Sequence, residues 1–206
     1  MEQTWSMNGF ERRAHEIKNR IKETTLQLLS SSSVKQIRIA DIAGEAGVSQ
    51  VTIYNYFGSK EALIREVFRD YIEKSMEEFE ALVGGSGTLK EKIEYIILQK
   101  KKTSHIFHPS VIAELMQEDS EIRNFVQQNY EERSVPMVVE LITTSKAKGE
   151  ISEHISVETV MLYLNMLNES SYRMMESLQF NDNRDKLIEE MVQVFFYGIC
   201  GPDCQK

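Results

Sequence analysis

The sequence predicts an all-α chain, with a three-helix N-terminal head followed by a larger helical body. Three observations carry this. Apolar residues recur at steps of three and four through most of the 206 residues, the spacing of one helix face. Only three prolines and ten glycines interrupt them, which leaves long helices free to form. Glycines fall where the helical patterns stop, at Gly47, at Gly84–Gly87 and at Gly149.

The elements follow in chain order. Residues 11–31 read as a first helix with Ile17, Ile21, Thr24, Leu28 and Leu29 on its buried side. Arg12, Arg13, Lys18 and Arg20 cluster at or before its start, either as a solvated face or as an arm that touches phosphate. Ser30–Gln36 is a loop. Ile39, Ile42, Ala43 and Ala46 share one face of a short helix, and Gly47 follows as a left-handed cap. Val48 fills the turn, Ser49 is an N-cap candidate, and residues 50–56 form a second short helix. Two helices joined by a glycine-bearing turn make a helix-turn-helix, whose second helix is suited to the DNA major groove.

Ser59 then opens a longer helix carrying Leu63, Ile64, Val67, Phe68, Tyr71, Ile72, Met76, Phe79 and Leu82 at helical spacing. The Gly84–Gly87 run ends it; no Gly-Lys-Ser/Thr follows, so this is a break and not a phosphate loop. Residues 89–104 and 109–116 give two more helices, the second opened by Pro109. A long helix from Asp119 or Ser120 to about Lys148 should kink at Pro136, which lacks a backbone donor. Residues 156–178 and 182–199 are the last two.

The segment Gly47–Leu63, GVSQVTIYNYFGSKEAL, resembles the signature of the TetR family of transcriptional repressors. That signature runs Gly-Val-Ser, two variable residues, Thr-hydrophobic-Tyr, one variable residue, Tyr or His, Phe, and a short turn ending in Lys-Glu-x-Leu. Ile21–Ser30 resembles the family's first helix, so the likeness covers roughly the first third of the chain. It implies a homodimer on a palindromic operator, with residues 1–60 as the DNA-binding domain and 61–206 as the ligand-binding and dimerisation domain.

Side chains of the second motif helix are hydrogen-bonding types with little charge, as base edges require. Gln50 can pair bidentately with an adenine edge, and so can Asn55 if it faces the groove; Val51 can touch a thymine methyl. Thr52, Tyr54 and Tyr56 offer hydroxyls for phosphates, and Lys60 stands beside the next helix N-terminus. The resemblance assigns Thr52, Tyr54, Tyr56 and Lys60 to DNA as well. Ile53 and Phe57 should be core. Arg38 departs from the family, which often has Thr or Ser there. Arginine cannot accept a backbone N–H, so that cap is lost or moves, and a phosphate contact could compensate.

For the body, the resemblance implies a small-molecule cavity whose occupancy moves the two heads apart. Candidate lining residues are His105, Phe107, His108, Met116, Phe125, Tyr130, Met137, Met161, Tyr163, Asn168, Tyr172 and Met175, all of which can equally be core. Val157, Val160, Leu164, Leu167, Ser171, Met174 and Leu178 alternate steps of three and four, and Leu187, Met191, Val194 and Phe195 give a matching stripe. These stripes either close the monomer's core or build a four-helix dimer interface, which the resemblance favours.

Charge distribution agrees with a head that meets DNA. The net charge is −8, yet residues 1–60 hold eight Lys/Arg against six Asp/Glu, and residues 61–206 sixteen against twenty-six. No apolar run reaches a membrane span and the N-terminus lacks a signal-peptide core, so a cytoplasmic protein is expected. Cys200 and Cys204 without nearby histidines do not complete a metal site. A carboxylate-bridged metal enzyme would need Glu-x-x-His pairs, and none of His15, His105, His108 and His154 has one; neither a cofactor nor an enzymatic activity is expected. The alternative function is a DNA-binding adaptor whose body recruits a protein.

Overall fold

A computed structural model describes residues 9–103, 106–107, 109–166, 183, 186–187, 189–190, 193–194 and 197, without the side chains of 97–103 and 109. The described elements are all helical: α1 (Gly9–Ser31), α2 (Ile39–Ala46), α3 (Gln50–Phe57), α4 (Lys60–Gly84), α5 (Leu89–Thr103), α6 (Pro109–Glu118), α7 (Ser120–Asn129), a π turn (Tyr130–Ser134) and α8 (Val135–Ala147). Residues 157–166 are helical too. Two compact units arise. The first comprises Met1–Tyr71 with Ile106–Glu114, the second Ile72–His105 with Leu115–Lys206. The division falls inside α4 and α6.

In the first unit, Ile21, Leu29, Ile42, Ile53 and Leu63 are wholly buried. These aliphatic residues come from all four helices that enter the unit from the N-terminal side, so each helix is held by its apolar stripe. Thr25, also wholly buried, satisfies its hydroxyl by donating to the Ile21 carbonyl at 2.8 Å. Phe107 closes a second cluster with Phe68 (ring centroids 5.4 Å apart) and Tyr71 (4.9 Å, edge to face). Lys22 on α1 reaches α4, with its ammonium 2.6 Å from Asp70 and 3.5 Å from Glu66. Burial disfavours that charge, but the hydrogen bond to Asp70 and the two carboxylates outweigh it and raise the Lys22 pKa above the ordinary lysine value.

The second unit has its own core of Leu89, Leu141, Ile142, Ile151 and Val160, with Val157 and Leu164 packed against it. Thr88 and Glu91 form a reciprocal capping box on α5. The Thr88 N–H donates to Glu91 Oε2 at 2.8 Å, and the Glu91 N–H donates to Thr88 Oγ1 at 3.2 Å. The first of these bonds, with a further one from the Thr88 hydroxyl, holds the Glu91 carboxyl below its ordinary pKa. Asp119 caps α7, accepting from the Glu121 and Ile122 N–H groups.

The expected single helix through Pro136 is instead α7, a five-residue π turn and α8. Proline has no N–H for the carbonyl four residues back, and its ring crowds that carbonyl; widening the turn just before Pro136 relieves both. The π turn is well tied within its unit. Arg133 Nη1 lies 2.5 Å from Glu73 Oε2 and donates to Asn129 Oδ1, while the Tyr130 hydroxyl donates to Asn165 Oδ1 at 2.6 Å. Gly149, at φ +76°, stops the helical run as anticipated.

The candidate dimer stripe falls only partly within the described residues. Val160 is 1% exposed and lies in the chain's own core, with half-buried Val157 and Leu164 packed against it. The same helical segment exposes Leu162 (71%) and Met166 (52%) instead, and Val194 is 68% exposed. Leu187 is half-buried; Leu167, Ser171, Met174, Leu178, Met191 and Phe195 lie outside the described residues.

Candidate nucleic-acid interface

The turn that aims α3 is built from local chemistry. Gly47 adopts φ 63°, ψ 39°, a left-handed conformation that costs an L-residue with a Cβ roughly 1–2 kcal/mol. That conformation lets the Val48 N–H return to the Ala43 carbonyl at 3.0 Å and ends α2 sharply. Ser49 then caps α3 in extended geometry, its Oγ accepting from the Thr52 N–H at 3.0 Å. Gly58, at φ 78°, closes α3, and the Ser59 hydroxyl opens α4 by accepting from the Ala62 N–H at 3.1 Å.

At about 100° per residue, the eight residues of α3 sort into three arcs. Ile53 and Phe57 fall on one arc and are buried. Gln50, Val51, Tyr54 and Asn55 spread over the adjoining arc of about 140° and are all exposed, Val51 at 65% and Tyr54 at 49%. Thr52 and Tyr56 lie between, half-buried. Anchored on two residues, α3 has the ~10–12 Å diameter of any α-helix, which a B-DNA major groove admits. Its outward face carries amide, hydroxyl and methyl groups, the types that read base edges.

Four of the expected DNA-contacting side chains have local surroundings that bear on their roles. The Thr52 hydroxyl is 2.8 Å from Ser49 Oγ, so one of its bonding directions is committed to the cap. Lys60 is half-buried and donates to the carbonyls of Val34 (3.0 Å) and Ile37 (3.1 Å), tying down the loop before α2. Arg38 makes no side-chain cap. Asp41, at the third position of α2, accepts from the Arg38 N–H at 3.0 Å, which is one half of a capping box, and leaves the Arg38 side chain exposed. Tyr56 packs edge-on against Phe57 (6.4 Å) and beneath the ammonium of Lys18, 5.6 Å from its ring centre. Lys18 therefore sits on α1 against the recognition helix and not on a free arm.

Comparison with known proteins matches residues 21–67 to the family described as bacterial regulatory proteins, tetR family. Residues 21–67 thus carry the helix-turn-helix domain of the TetR family. The matched segment begins in α1 and ends in α4, so it contains the whole helix-turn-helix and its supports. Among relatives, the fatty acid metabolism regulator protein of Bacillus subtilis is 26% identical over 143 residues, 66% of this chain and 72% of the relative. The HTH-type transcriptional regulator BetI of Brucella anthropi is 26% identical over 91 residues, 44% of this chain and 47% of BetI. The crystal structure of FadR from Bacillus subtilis with stearoyl-CoA has a TM-score of 0.59 at 20% identity, covering 88% of this chain and 98% of FadR. A regulator from Saccharomonospora viridis with choline has a TM-score of 0.73 at 17% identity, covering 91% and 99%. The fold, helix-turn-helix first and larger helical domain after it, is shared with these two solved structures.

The described residues among those named from sequence for the body fall in both units. Phe107 belongs to the first unit, 5% exposed and packed on Phe68 and Tyr71. Met116, Phe125, Tyr130, Met137 and Met161 are half-buried in the second unit, and Tyr163 is exposed. His105, His108, Asn168, Tyr172, Met175, Cys200 and Cys204 lie outside the described residues. Among the described residues, no group of His, Cys, Asp or Glu could hold a metal ion, and no helix is long and apolar enough to cross a membrane.

Proposed function

We propose that this TetR-family regulator is a repressor that binds a palindromic operator as a homodimer and leaves it when a small molecule binds the body. The observation that carries the DNA-binding half is the four-residue exposed face of α3, held on Ile53 and Phe57. Gln50, Val51 and Asn55 are the base-reading residues. Tyr54, Tyr56 and the exposed Arg38 serve phosphates, with Ser49 and Thr52 at the helix start, where the N–H groups face an anion. Lys60 contributes chiefly by fixing the loop between α1 and α2.

Self-association is supported by Leu162, Met166, Val194 and Tyr197, large apolar side chains that water would otherwise surround. Effector binding is supported by two fold relatives that carry stearoyl-CoA and choline, and by half-buried Met116, Met137 and Met161, side chains that adapt to irregular ligands. A preference of ~1–3 kcal/mol for one head spacing suffices to switch the protein. The test is a duplex selected by the purified protein, titrated by fluorescence anisotropy with stearoyl-CoA or choline added. Release by either supports the reading; tight, unregulated binding by a monomer contradicts it.

A further inference from the structure

We propose that Lys18 and Tyr56 together clamp a single DNA phosphate, the ammonium and the phenol O–H both donating to its oxygens. This rests on the DNA-binding reading above and adds a residue of α1 to the interface. Three lysines of the first unit have half-buried side chains: Lys18, Lys22 and Lys60. Lys22 is neutralised by Asp70 and Glu66, and the N–H donors of Lys60 go to two backbone carbonyls.

Lys18 differs. Among the described residues its ammonium has neither a carboxylate nor a carbonyl partner; what it has is aromatic faces, Tyr56 at 5.6 Å and Phe57 at 5.9 Å from the ring centres. A ring face attracts the cation but satisfies none of its N–H donors as an oxygen would. The arrangement therefore fixes the stem of Lys18 and keeps its donors available beside the ring that bears the Tyr56 hydroxyl. Both groups are donors; Tyr56 stands in the last turn of α3, next to the exposed Asn55, and Lys18 packs against it from α1. The chemistry that satisfies two such donors at once is a singly charged group with two non-bridging oxygens, which a phosphodiester supplies. Nearby Arg12 is instead drawn toward Glu16 at 3.7 Å, with both side chains largely exposed.

The test uses the full chain and a 30-base-pair duplex of random sequence, because phosphate contacts contribute to binding irrespective of sequence. Affinity is measured by anisotropy between 50 and 200 mM salt for wild type, K18M, K18R, Y56F and K18M/Y56F. The clamp predicts that K18M lowers the steepness of log K against log salt by about 0.9 per chain, while K18R keeps it. Y56F weakens binding with little change of slope, and the double variant is weaker by less than the product of the two single losses. An unchanged slope in K18M, or losses that simply multiply, overturns the clamp. So does a K18M defect that is the same at every salt and tracks a lower melting temperature, because that is a packing role. If wild type itself fails to bind duplex at 50 mM salt, the DNA-binding reading fails, an outcome distinct from failure of the clamp alone.

Discussion

Replacing Lys60 by methionine separates structural from DNA-contacting roles most sharply. Methionine keeps an unbranched apolar stem but supplies no N–H donor. The wild-type ammonium donates to the Val34 and Ile37 carbonyls, 26 and 23 residues away along the chain, in a half-buried setting. Hydrogen bonds from charged donors contribute ~1.5–3 kcal/mol each when well shielded. Partial exposure reduces this, so about 1 kcal/mol each, or ~2 kcal/mol together, is the reasonable figure. For a chain of this size that lowers the melting temperature by roughly 4–8 °C. The assays are thermal unfolding followed by circular dichroism, and anisotropy binding at a temperature where K60M remains folded. The structure predicts a clear loss of stability with only a modest loss of DNA affinity. Undiminished stability with a ten-fold or greater loss of binding would refute it, because the ammonium would then serve DNA and not the loop.

Other perturbations report on separate parts of the account. Gln50→Ala, Tyr54→Ala and Asn55→Ala remove exposed side chains and should each change stability by less than ~0.5 kcal/mol while weakening binding to a selected duplex; equal losses of both would place them in the core. Leu162→Glu combined with Met166→Glu should give a folded monomer by sedimentation, whereas a folded dimer would show that this face is not the interface. The raised Lys22 pKa means its folded-state charge stabilises fully below the unfolded lysine pKa, and that contribution disappears as pH rises through the folded value. K22M should therefore show a flatter decline of stability on the alkaline side, measured by urea unfolding from pH 8 to 11.

What could be read from the sequence was what local chemistry decides. Gly47 and Ser49 act on backbone groups within five residues, and α2 and α3 begin and end where those residues require. The displaced cap of α2 was also legible, since Asp41 stands three residues after Arg38 in the capping-box position. Lys60 was not, because its partners lie across the fold and a lysine before a helix reads equally as a phosphate ligand. The steps of three and four at Val157, Val160 and Leu164 mark an apolar face but not what covers it; the core of the second unit does so here. Pro136 announced a defect in the long helix, while the type of defect, a π turn joined to Glu73 through Arg133, depended on residues some 60 positions apart. Lys18 illustrates the same limit. Sequence placed it in a basic cluster, and only packing set it over Tyr56.

In vitro selection of bound duplexes from a random pool bears most directly on α3 as a paired reading helix. Two such helices in a dimer give a two-fold symmetric consensus, with half-sites centred about one helical turn apart and conserved positions that change when Gln50 or Asn55 is replaced. An asymmetric consensus, or a symmetric one that both substitutions leave untouched, would contradict it.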